Sequence, residues 1–259
     1  MFQLIISTAF LEKAFHQVIL GIVQGLTEFL PISSTAHLTV IPRLLGWGDP
    51  GISTIASIQL GSVFAVFIYF WPDLVDLLKG FSHLLIRREA TNQRAKLSAA
   101  VLLGNVPIVF TGLLIKIFWP NYESSFLRTI PSIAIISIAM AFLLWISELR
   151  GNRSRTLEFI RPIDGLFIGL TQVLAIIPGV SRSGITISSG LLMGVTRDSA
   201  ARFSFLLGLP AITLAGLVEI KEVDYISTPS NFALLIIGIT SAALFSWISI
   251  DFLIKYLRR

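Results

Sequence analysis

Five stretches of this chain run for the length of a membrane crossing with no charge in their middle: Ile52–Trp71, Leu97–Trp119, Ile130–Ser147, Arg202–Glu219 and Phe232–Ile250. About 20 mostly apolar residues span the hydrocarbon of a bilayer as a helix. Alternation of polar and apolar residues, as a transmembrane barrel needs, is absent, so the backbone must bond within its own segments. Composition agrees: 54% of residues are hydrophobic and 14% charged, and the mean hydropathy is +0.82. The sequence therefore predicts an all-α polytopic membrane protein with about five full spans. It has no cysteine, hence no disulfide or thiolate metal site. The start, MFQLIISTAFL, lacks a basic leader and a small-residue cleavage site, and is expected to be retained.

A formal net charge of +5 points to nucleic acid in a soluble protein, but here the basic residues sit in short loops beside spans and report orientation instead. No nucleic-acid partner is expected. Arg87, Arg88, Arg94 and Lys96 follow the first span, and Arg150, Arg153, Arg155 and Arg161 follow the third, whereas Asn121–Thr129 is nearly neutral. Both basic loops are expected in the cytoplasm. The loop Lys221–Asn231, with Glu222 and Asp224, then falls outside, and Lys255, Arg258 and Arg259 inside. This holds only if two further hydrophobic regions, residues 14–46 and 162–196, each enter and leave on one side.

Those two regions resemble each other. A shift of 148 positions places Gly21 on Gly169, Gln24 on Gln172, Leu26 on Leu174, Ser33 on Ser181 and Gly46 on Gly194. Each has an apolar helix, then a Pro/Ser/Gly-rich break, LPISSTAH in one and IPGVSRSG in the other, then an apolar segment too short to span. Paired interruptions of this kind point to discontinuous helices that meet near the midplane. By the loop charges the two re-entrant hairpins enter from opposite sides, giving an inverted-topology repeat. The whole chain, 1–259, is read as a single membrane domain, with repeat one at 14–149 and repeat two at 162–257, the second lacking a final helix.

An ionised side chain at mid-bilayer costs on the order of 2.5–3.5 kcal/mol on insertion scales, so polar residues there need a reason. Region one carries Gln24, Glu28, Ser33, Ser34, Thr35 and His37, and region two Gln172, Ser181, Arg182, Ser183 and Thr186. Gln24 and Glu28 are four apart and share a helix face; packing glue is the plainer reading of both. His37 suits a functional residue or a satisfied interior histidine. Arg182 lies in a turn that should open a short helix, where free N–H groups and the helix dipole attract an anion. Its guanidinium adds donors matched to a phosphate, and Ser181, Ser183 and Thr186 add hydroxyls. Snorkelling, or a structural ion pair with Glu28, is the alternative. Together the breaks describe an anion site holding one carboxylate, which can bind a divalent metal or take a proton. Ser33 or Ser34 activated by Glu28 or His37, His37 itself, and water are all open as nucleophile.

QGLTEFLPISSTAHL at Gln24–Leu38 and PGVSRSGITISSGLLMG at Pro178–Gly194 resemble the two signatures of the undecaprenyl-diphosphate phosphatase family, also called bacitracin-resistance protein. IQLGSVFAV at Ile58–Val66 and RFSFLLGLPAI at Arg202–Ile212 are similar to the same family's spans. The resemblance implies a polyprenyl diphosphate lipid substrate, hydrolysed to undecaprenyl phosphate and inorganic phosphate, which recycles the lipid carrier of cell-wall synthesis. It implies a divalent cation, Mg²⁺ or Ca²⁺, at Glu28. It implies catalytic roles for Glu28, His37, Arg182 and Ser34, and substrate contacts from Gln24, Ser33, Ser181, Ser183 and Thr186. Membrane lipids, and a homodimer as the assembly to test for, complete the partners; bacitracin is expected to compete for the substrate rather than bind the protein. The implied location is the bacterial inner membrane, with the site opening to the outer face. Gln24 stands where many members have Glu, Ala36 replaces a usual Gly, and the family's last hydrophobic helix is the one the repeat lacks. The alternative is a transporter or flippase of a polyprenyl phosphate lipid, since broken inverted repeats are a transporter design.

Overall fold

The computed structural model describes residues 8–86, 91–119, 121–122, 125–219 and 228–258. Of the loop charges used above, Arg87, Arg88, Lys221, Glu222, Asp224 and Arg259 lie outside the described residues, as do the first seven residues. The described chain is helical, with an isolated bridge between Arg155 and Val195 as its only β pairing.

Helix α1, Thr8–Glu28, breaks and resumes as α2, Ser34–Leu44. Helix α3, Ile52–Tyr69, turns through 81° into α4, Trp71–Leu85. Helices α5, Gln93–Phe118, and α6, Ile130–Arg150, follow. Then α7, Pro162–Gln172, tightens into a 3₁₀ turn at Val173–Ile176 and resumes as α8, Arg182–Leu192, before α9, Arg197–Glu219, and α10, Pro229–Leu257. Helices α5, α6, α9 and α10 are each long and apolar enough to cross a bilayer, and the bent α3–α4 pair makes a fifth crossing if taken as one span. The chain is thus an all-α polytopic membrane protein.

One span departs from the sequence reading. An uninterrupted helix is expected over Ile52–Trp71, but the helix ends at Tyr69 and a new one begins at Trp71 with Pro72 in its first turn. Proline lacks an N–H and disfavours helical geometry in the residue before it, so it fits a helix start and breaks a helix interior. The second helix carries Asp73 in its first turn, and that carboxylate accepts from Arg202 of α9 at 2.5 Å.

Small residues set how closely the helices approach. Helix α1 lies along α10, and α7 along α5. A Cβ on Gly25 would stand 2.6 Å from the Ser246 nitrogen, and one on Gly169 would stand 2.1 Å from the Gly104 oxygen. With lipid as solvent, packing of this kind drives helix association. Helix α3 crosses α9 at the centre, where Phe29, Val66, Phe70, Phe203, Phe205 and Leu206 form a dry core. The Phe29 and Phe205 rings meet edge-on at 5.0 Å. In contrast Phe110, Leu113, Ile135, Phe142 and Trp145, on α5 and α6, point outward and exposed. An outer surface this apolar suits acyl chains, not water.

Candidate active site

The two breaks meet above this core. The α1 helix runs to Glu28, and the chain re-enters helix at Ser34 after Ser33, whose φ of 66° is positive. Such a φ is strained for a residue other than glycine. Ser33 nevertheless caps α2, its hydroxyl accepting from the Ala36 N–H at 3.4 Å. In the second break Ser181 caps α8 with an ordinary φ of −74°, accepting from the Gly184 N–H at 3.1 Å. The α8 N-terminus, positive by its dipole, therefore starts at Arg182.

Glu28 and Arg182, 154 residues apart, form an ion pair of 2.7 Å, with side chains only 4% and 13% exposed. Four side chains converge on the carboxylate. Its Oε1 accepts from Arg182 and, at 2.9 Å, from Gln59; its Oε2 accepts from Ser34 at 2.7 Å and Gln24 at 2.9 Å. Gln24 also donates to Ser62, which takes a second bond from Ser246. Removing either member of a buried charge pair leaves the other uncompensated, a loss of about 3–5 kcal/mol.

A cavity of about 220 Å³ opens beside the pair. Glu28, Ser33, Ser34, Gln59, Ser181 and Arg182 supply its polar wall, together with Thr35, and Ile108, Ala175, Ile176, Ala211 and Ala215 its apolar one. Five sequence candidates thus surround one space: Glu28, Ser33, Ser34, Ser181 and Arg182. The other four lie behind it. Gln24 is fully buried behind Glu28. Ser183 bonds Ser181 and donates to the Leu30 carbonyl at 3.1 Å, so it ties one break to the other. Thr186 donates to the Arg182 carbonyl and shares a bond with Ser204. His37 is half-buried and its Nδ1 donates to the Ser33 carbonyl at 2.8 Å, which holds the strained turn. Gln59, Ser62 and Ser204 were not singled out from sequence. The signal was there, a polar residue inside an apolar span without a loop to explain it.

The donor set suits a hard cation. Besides Arg182, Glu28 is met by three neutral side chains, Gln24, Ser34 and Gln59, and Oε1 of Gln24 is buried beside it with no partner among the described residues. Magnesium is commonly held by one or two carboxylates, with substrate phosphates and water completing its shell. Among the described residues no three His, Cys, Asp or Glu side chains gather, so the protein's part of such a site rests on Glu28.

Fold and site together define a multi-pass membrane protein with a polar pocket built where two interrupted helices meet. The sequence model described as Bacitracin resistance protein BacA matches residues 17–259, and the chain belongs to that family. Its relatives are named undecaprenyl-diphosphatase. One from a strain of Prochlorococcus marinus is 55% identical over 99% of this chain and 89% of its own length. One from a Synechococcus species is 52% identical over 96% and 87%. One from a Nostoc species is 52% identical over 93% and 76%.

Proposed function

We propose that this chain hydrolyses undecaprenyl diphosphate to undecaprenyl phosphate and inorganic phosphate. The observation that carries the reading is the convergence of Arg182, the α8 N-terminus and the Ser181 hydroxyl with Glu28 and Ser34 on the polar wall of one small cavity. Membership of the family and the names that its relatives carry point to the substrate. Those names describe hydrolysis, and no feature of the site favours the transporter reading over it.

In this reading Arg182 and the α8 N-terminus hold the terminal phosphate, whose charge spreads over oxygens that a guanidinium can bridge. The Ser34 hydroxyl, already donating to Glu28, is the group placed for attack on the terminal phosphorus. Its proton passes to the Glu28 carboxylate, the phosphoanhydride bond breaks, and undecaprenyl phosphate leaves. Water then attacks the phosphoserine, Glu28 returns its proton to the departing Ser34 oxygen, and inorganic phosphate is released. A divalent cation would be held by Glu28 together with substrate oxygens, and would supply charge neutralisation. His37, Gln24, Ser183 and Thr186 position the groups that touch substrate. The location is the bacterial inner membrane, with the cavity opening to the outer face and the basic loops at Arg94 and Arg150 to Arg161 in the cytoplasm.

The test is phosphate release from farnesyl or undecaprenyl diphosphate by the detergent-purified protein, with and without Mg²⁺, beside Arg182→Ala. Release that requires both Arg182 and the metal is expected. Release unchanged in Arg182→Ala would overturn the site, and none from well-folded wild type would overturn the function.

A further inference from the structure

Arg182 reaches Glu28 from α8 only by passing against α9, and the point of contact is a glycine. A Cβ built on Gly208 would lie 1.3 Å from Nη1 of Arg182 and 2.5 Å from its Cζ, so the guanidinium occupies the space a side chain at 208 would fill. Gly208 has an ordinary helical φ and sits inside α9, where glycine weakens a helix by about 1 kcal/mol relative to alanine. The turn chemistry that usually explains glycine is therefore missing. Nη1 itself is buried with no hydrogen-bond partner among the described residues, so the niche holds the guanidinium by shape alone. With Nη1 lodged on α9, Nη2 is aimed at Glu28 and lines the cavity.

We infer that Gly208 is a positioning residue for the phosphate-binding arginine: its missing side chain fixes which way the Arg182 guanidinium faces. The inference rests on the proposed phosphatase reading and adds a residue that touches neither substrate nor metal. Any side chain at 208 forces the guanidinium off α9, breaking its alignment with Glu28 and with the phosphate. The three atoms nearest to that Cβ all belong to Arg182, so the guanidinium is the first group a methyl at 208 would displace.

The experiment is a double-mutant cycle on the purified protein with farnesyl diphosphate and Mg²⁺, using Gly208→Ala, Arg182→Ala and both together. Melting temperature and inhibition by orthophosphate are read alongside kcat/KM. Displacing a binding group by about 1 Å costs on the order of 10²-fold, and Gly208→Ala is expected to lower kcat/KM by that factor and to weaken orthophosphate inhibition. In the Arg182→Ala background the same change should alter kcat/KM less than about twofold and leave the melting temperature unmoved or raised, because the niche is then vacant. Near-normal kcat/KM in Gly208→Ala, or an equal loss in both backgrounds, overturns the assignment. If Gly208→Ala fails to fold, the double mutant decides: a folded double mutant supports the niche, and a second failure assigns Gly208 to the fold alone. An active Arg182→Ala sinks the phosphatase site and this assignment with it. An inactive Arg182→Ala beside an active Gly208→Ala sinks this assignment only.

Discussion

The two breaks carry the same scaffold and opposite chemistry. Both resume as eleven-residue helices, Ser34–Leu44 and Arg182–Leu192, each capped by a serine and each followed by a glycine of positive φ, Gly46 at 74° and Gly194 at 82°. A shift of 148 places Glu28 on Ile176 and Ser34 on Arg182, and all four line the cavity. The first break gives the carboxylate and hydroxyl, the second the cation, and each charge stands where its counterpart is neutral. Their surroundings differ too. The second break is covered by α6, where Ser137 donates to the Gly179 carbonyl, and is tied by Tyr122 to the Ile176 carbonyl. The first break has Pro31 and Ile32 on the wall of an open apolar cleft of about 700 Å³. A similar backbone on both sides thus leaves charge placement to single positions, so a working site needs both halves.

The sharpest way to break the comparison is to remove the cation. Arg182→Ala is expected to lower phosphate release on the order of 10³-fold, the scale of a lost phosphoryl-binding arginine. Chelation tests the other half: EDTA is expected to abolish release, and added Mg²⁺ or Ca²⁺ to restore it. Stability separates positions 28 and 176. Glu28→Ala strands Arg182 and is expected to cost about 3–5 kcal/mol, whereas Ile176→Ala trims a half-buried apolar group worth about 1 kcal/mol; denaturation in mixed micelles reads both. At the caps, glycine should beat alanine at 181 by about 0.7 kcal/mol from cap preference alone, and at 33 by about 1 kcal/mol more, because there it also relieves a positive φ. Tyr122→Phe is expected to cost about 1 kcal/mol or less from one hydrogen bond, felt at the second break alone.

Much of this was legible in the sequence. Run length gave the class, and the repeated Pro/Ser/Gly interruptions located both breaks and put Glu28, Ser33, Ser34, Ser181 and Arg182 among the candidates. The bend at Phe70 does not show in the sequence because Ile52–Trp71 is uncharged throughout, and hydropathy says nothing about direction; Pro72 was the local cue. His37, Ser183 and Thr186 share their motifs with cavity residues, and a motif does not tell a wall from its support. Gln59 stands out only as a polar residue inside an apolar span, and Gly208 comes from a span whose pattern reads as plain membrane helix. Their part depends on which helix crosses which, and that is set by packing between segments far apart in the chain.

The 154 residues between Glu28 and Arg182 have a meaning for how the protein is made. At about 5–20 residues per second, the carboxylate is synthesised roughly 8–30 s before its counter-charge exists. Its other three donors, Gln24, Ser34 and Gln59, all lie within 31 positions of it and are available almost at once. The neutral ring around Glu28 is thus also a nursery, able to keep a lone charge solvated inside the bilayer until the second half of the chain arrives.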